Sequence, residues 1–76
     1  MDPRDAVLTV LRDAGEPLHW TAVQDRALRA GLVDPFELRD VRRQVQTALR
    51  ALVATGAIEK RSRGVYAARG QDDVEA

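Results

Sequence analysis

The sequence predicts a mainly helical α+β domain in which three helices are followed by a small C-terminal β-hairpin. Three observations predict it. Apolar residues recur at helical spacing in three stretches, each opened by a cap-forming residue and closed by a glycine. Two short stretches that read as strands, 57–60 and 65–68, flank the turn sequence Arg61-Ser62-Arg63-Gly64. The chain has 76 residues, 45% hydrophobic and 32% charged, which is folded-protein composition with room for one small core.

The first helix reads from Asp2 to Ala14. Asp2 caps it, and Pro3 suits the first helical position, where a missing N–H costs nothing. Val7, Val10, Leu11 and Ala14 share one face, and Gly15 closes the helix. Pro17 forbids continuation, so Glu16 to Trp20 is expected to be extended and to supply a very short strand. The second helix is expected to start at Thr21, with Thr21 and Gln24 forming a reciprocal capping box. Val23, Ala27 and Leu28 form its buried side, and Gly31 is its stop. Asp34-Pro35-Phe36-Glu37 is another start signal, and the third helix runs on to about Thr55 with Gly56 as its cap. Residues 34–39 read either as part of that helix or as a separate turn. Domain organisation follows: one folded unit over 1–68 and an acidic disordered tail over 69–76.

Several function classes find no support in these residues. Without cysteine there is neither a disulfide framework nor a thiolate metal site, and no metal or other cofactor is expected. The first residues lack the basic-then-apolar pattern of a secretory leader, and no apolar run approaches the ~20 residues of a membrane span. A cytoplasmic location is the expectation. The single histidine, His19, and the single serine, Ser62, do not make a nucleophile–base pair, so the chain is expected not to be an enzyme. His19, between Pro17-Leu18 and Trp20, reads as a structural residue. Asp72, Asp73 and Glu75 lack the preorganised cage a cation requires.

The charge distribution is more informative than its zero sum. Residues 1–38 carry −3, residues 39–63 carry +5 and residues 64–76 carry −2. One contiguous third of the chain is basic, the footprint of a polyanion-binding face. At about 100° per residue, Leu38, Val41, Val45, Ala48, Leu49 and Leu52 of the third helix fall on one arc and must face the core. Arg39, Arg43, Gln46 and Arg50 fall on the opposite arc, with Thr47 beside them and Arg42 toward the flank. Arginine bonds bidentately to the guanine edge and glutamine to adenine, and arginine also pairs with phosphate. Double-stranded DNA is therefore the expected partner, with the third helix in the major groove. Lys60, Arg61 and Arg63 of the hairpin are expected to touch the backbone, positioning the domain without reading sequence. A face that is basic only for solubility, or that binds an acidic protein, is the competing reading.

Leu49-Arg50-Ala51-Leu52-Val53-Ala54-Thr55-Gly56-Ala57-Ile58-Glu59-Lys60, followed by Arg63-Gly64-Val65-Tyr66, resembles the recognition helix and wing of winged helix-turn-helix proteins. In that pattern two leucines anchor the helix, a glycine stops it, and Ile58 and Tyr66 pair across the wing. The front half, Ala6-Val7-Leu8, Leu11, Ala14-Gly15-Glu16-Pro17-Leu18-His19-Trp20 and Ala27-Leu28-Arg29-Ala30-Gly31-Leu32-Val33, is similar to the HARE-type helix-turn-helix. That module occurs beside restriction endonucleases, chromatin regulators and an RNA polymerase accessory subunit. Where it usually has Gly-Lys-Thr-Pro before the third helix, this chain has Asp34-Pro35-Phe36-Glu37. The resemblance implies a winged helix acting in transcription regulation or in nucleoid or DNA-processing targeting. It equally accommodates a protein–protein adaptor in such a complex, because some winged helices bind only proteins, and a homodimer would supply two-site DNA binding.

Two aromatic residues bear on that choice. Trp20 is expected to pack across the first helix and the wing, with a partner-anchoring role as the alternative. Phe36 points away from the core arc if the third helix begins at Pro35, which makes it either part of a separate turn or a side chain exposed for a partner. Tyr66 is expected to cover the core edge with its hydroxyl wet. The acidic tail is read as inert, with folding back onto the basic stripe as the alternative.

Overall fold

The computed structural model describes residues 2–34, 36 and 38–69; for Leu38 and Arg39 the description covers the backbone alone. Its elements are α1 (Pro3–Ala14), β1 (Leu18–His19), α2 (Trp20–Arg29), α3 (Leu38–Thr55), β2 (Ile58–Ser62) and β3 (Val65–Ala68). The strands form one antiparallel sheet in the order β1-β3-β2. The architecture is mainly helical α+β, with three helices closed at one end by a small sheet, an arrangement consistent with a winged helix. Among the described residues no helix is long and apolar enough to cross a membrane.

Local chemistry explains the helix ends. Asp2 accepts the Arg4 N–H at 2.8 Å through Oδ1, which satisfies one of the orphan donors of α1. Gly15 takes φ +67° and ends α1 there. α2 and α3 close alike: Leu32 donates to the Ala27 carbonyl and Ala57 to that of Leu52, both at 2.9 Å, while Gly31 and Gly56 donate to Leu28 and Val53.

The start of α2 differs from the expected capping box. The helix begins at Trp20, one residue early, and its cap is His19, whose Nδ1 accepts the Thr21 N–H at 3.3 Å. The Trp20 N–H donates to the Gly64 carbonyl at 2.8 Å. His19 thus serves the Thr21 N–H that Gln24 was expected to serve, the wing serves that of Trp20, and among the described residues buried Gln24 Oε1 has no hydrogen-bond partner. Before α3, Phe36 sits in a turn of 3-10 character, with its N–H donating to Asp34 Oδ1 at 2.9 Å. The described part of α3 starts at Leu38, two residues further on. Pro35 and Glu37, the remainder of that start signal, lie outside the described residues, as does the tail from Gly70 onward.

The core lies where the three helices and the sheet converge. α1 contributes Ala6, Val7, Val10 and Leu11; α2 contributes Val23 and Ala27; α3 contributes Val41, Val45, Ala48, Leu49 and Leu52. Leu18, Ile58 and Ala68 close it from the sheet. Fully burying a Val, Leu or Ile side chain is worth about 1.5–3 kcal/mol. Fixing each residue's backbone costs roughly 1–2 kcal/mol. With so few large side chains the margin is thin, and each of them matters.

The wing differs from the expectation in extent and register. β2 runs to Ser62 rather than Lys60, leaving a two-residue loop, Arg63-Gly64. Lys60 pairs with Tyr66 and Ser62 with Val65, so Arg61 is an extra residue, a β-bulge that bends the strand. Ile58 lies opposite Ala68, not Tyr66. Tyr66 lies between Lys60 and Leu18, because β3 is the central strand and pairs on both sides. It is half-buried against the core.

Candidate nucleic-acid interface

The candidate interface is the solvent face of α3 with the wing beside it. Because Val41, Val45, Leu49 and Leu52 are buried, helical geometry turns Arg43, Thr47 and Arg50 outward, and all three are exposed; Gln46 is half-buried between them. Arg42, Arg43, Gln46, Thr47 and Arg50 line one open depression of about 380 Å³. Arg43 and Arg50 are seven residues apart, roughly 10 Å along the axis at 1.5 Å per residue. That span matches about three base-pair steps. Arg39 is the second residue of α3, and its side chain lies outside the description.

Arg43 and Thr47 also border a second groove, formed where Pro3 and Arg4 of α1 and its cap Asp2 approach Gln44, Ala48 and Ala51 of α3. On the other flank, the Arg42 guanidinium carbon lies 5.1 Å from the centre of the Trp20 ring, within cation–π range. Trp20 is half-buried and packs against the core, as expected. Its pairing with Arg42 was not read from the sequence, because it depends on how α2 docks against α3.

The wing cations are not equivalent. Lys60 and Arg63 are exposed. Arg61 Nε donates to Glu59 Oε1 at 3.1 Å, so part of its charge is answered within its own strand. The i, i+2 spacing of Glu59 and Arg61 was the available signal for this pair, since alternate strand residues share a face. Among the described residues, Arg42, Arg43, Arg50, Lys60 and Arg63 have no carboxylate within ion-pair distance, whereas Arg4 pairs with Asp2 at 3.7 Å and Arg29 with Asp25 at 3.1 Å. Arg4 and Arg29 are thus partly neutralised by their own neighbours, whereas Arg42, Arg43, Arg50, Lys60 and Arg63 are left facing solvent.

His19 sits at the junction of the wing and α2. Its Nδ1 lies 2.8 Å from Thr21 Oγ1, and its ring centre is 5.8 Å from that of Trp20. A Cβ placed on Gly64 would come within 2.9 Å of His19 Nε2, so the Gly64 backbone passes directly over the imidazole. This is a packing and capping role. Phe36 is an exposed apolar side chain, with 94% of its surface accessible. No family model, characterised protein or solved structure matches the chain.

Proposed function

We propose that this chain is a non-enzymatic winged-helix module that binds duplex DNA, with α3 in the major groove and the wing on the backbone. The observation that carries the reading is the run of exposed cations on α3 and the wing, Arg42, Arg43, Arg50, Lys60 and Arg63, without ion-pair partners among the described residues. A solvated face that is basic only for solubility gives no reason for that segregation, since residues 39–63 carry +5 while residues 1–38 carry −3. An α-helix of about 10–12 Å diameter fits a major groove about 12 Å wide. Arg43, Gln46 and Arg50, with Arg39 and Thr47, are assigned to base edges and the nearest phosphates. Arg42, Lys60 and Arg63 are assigned to the backbone, with Arg61 contributing less because of Glu59. The resemblance to winged helix-turn-helix proteins supports a role in transcription or in DNA-processing targeting, in the cytoplasm. A homodimer would place two such helices on successive half-sites.

The test is fluorescence anisotropy of a labelled mixed-sequence duplex, titrated with wild type and with the Arg43→Ala/Arg50→Ala variant across a salt series. Binding that weakens with salt and is lost in the variant is expected. A folded wild-type protein that fails to bind at low salt sinks the proposal.

The exposure of Phe36 favours a second reading, a protein–protein adaptor in a transcription or DNA-processing complex. Under it, Phe36→Ser abolishes partner capture while the Arg43→Ala/Arg50→Ala variant retains it.

A further inference from the structure

Three elements meet at Trp20. Its backbone N–H donates to Gly64 in the wing turn at 2.8 Å. Its ring packs on the core, and its edge lies 3.4 Å from the position a Gly64 Cβ would take. The Arg42 guanidinium of α3 rests over that ring at 5.1 Å. A long arginine side chain ordinarily samples many rotamers, and ordering it against a ligand carries an entropic cost. Here the indole holds it on the flank of α3 nearest the wing, and no carboxylate among the described residues competes for it.

We infer that Trp20 is a positioning residue for DNA binding. It holds the Arg42 guanidinium and the wing turn in one fixed relation, so that both engage the same phosphate backbone beside α3. The inference rests on the DNA-binding reading above. Trp20 itself touches no base or phosphate; it acts by preordering Arg42 and by anchoring the Arg63-Gly64 loop to the start of α2. A duplex then meets a cation already in place.

The experiment is a double-mutant cycle on the full chain, using Trp20→Leu, Arg42→Ala and their combination, with Trp20→Phe as the conservative rescue. Binding to the labelled mixed-sequence duplex is measured across a salt series, and melting temperature is recorded for each variant. Arg42→Ala should weaken binding about three- to tenfold at low salt and lower the salt slope by about 1. Trp20→Leu should lower the slope toward the same value, the double variant should be no worse than Arg42→Ala, and Trp20→Phe should restore most of the affinity. A side chain that only fills the core would lower the melting temperature and leave the slope unchanged. Because Trp20 is the only tryptophan, its emission in the free protein supplies a readout without DNA. Arg42→Ala should shift that emission even if Trp20→Leu fails to fold. An unshifted emission, an unchanged slope in Arg42→Ala or in folded Trp20→Leu, or losses that simply add while wild type binds, overturns the inference and leaves the DNA reading standing. Absence of wild-type binding overturns both.

Discussion

Replacing Gly64 with alanine probes the joint between the wing and the helices. Gly64 has φ +74°, a left-handed conformation that costs an L-residue with a Cβ roughly 1–2 kcal/mol. The new methyl would also lie 2.9 Å from His19 Nε2 and 3.2 Å from His19 Cδ2, too close to persist. The imidazole must move, yet its Nδ1 serves as the cap of α2, and losing a cap costs about 0.5–2 kcal/mol. The two contributions together predict a loss of roughly 1.5–4 kcal/mol. Gly15 provides the control: its φ is +67°, but a Cβ there would meet nothing within 4 Å, so Gly15→Ala incurs the backbone strain alone. In a domain of this size each kcal/mol moves the melting temperature by roughly 4–8 °C. Gly64→Ala should therefore melt about 5–10 °C below Gly15→Ala in circular-dichroism scans. In a His19→Ala background the extra loss should vanish, because the ring it strikes is gone. Equal melting of the two single variants, or an undiminished extra loss without His19, would refute the reasoning.

Other perturbations follow from the same contacts. Leu49→Ala removes one of the largest fully buried side chains and should cost about 2–5 kcal/mol, leaving a chain largely unfolded at moderate temperature by circular dichroism. Asp2→Ala removes the cap of α1 and should cost about 1 kcal/mol, read as a urea midpoint shift without a change in m-value. Phe36→Ser should leave stability within about 0.5 kcal/mol of wild type, since the ring is almost wholly exposed. Glu59→Gln removes the carboxylate charge beside the wing and should tighten duplex binding at low salt while changing stability by less than about 1 kcal/mol, which an anisotropy titration and a melt would read together.

What was legible in the sequence was local. The Asp2-Pro3 start and the Gly15 stop of α1 are chemistry contained within one turn, and they appear where expected. The two faces of α3 follow from helical periodicity, and Val41, Val45, Ala48, Leu49 and Leu52 are buried while Arg43 and Arg50 are exposed. The start of α2 was misplaced because its first donors are satisfied from outside the helix, by His19 and by the Gly64 carbonyl of a strand pair distant in sequence. The wing register was misread for a similar reason. A bulge at Arg61 and a central β3 shift every cross-strand partner, and neither can be seen in alternation alone. In the candidate site, the residue types and their arc were legible, whereas the Arg42–Trp20 stack required the docking of α2 on α3.

The most direct test of the central claim is a titration of isotope-labelled protein with a mixed-sequence duplex, followed residue by residue through amide NMR shifts. The largest changes are expected along the outer face of α3 from Arg42 to Arg50 and in the wing from Lys60 to Gly64, with the outward residues of α1 unmoved. Changes concentrated instead around Phe36 and the outward residues of α1 or α2, or no changes at low salt from a folded chain, would contradict DNA binding by α3 and the wing.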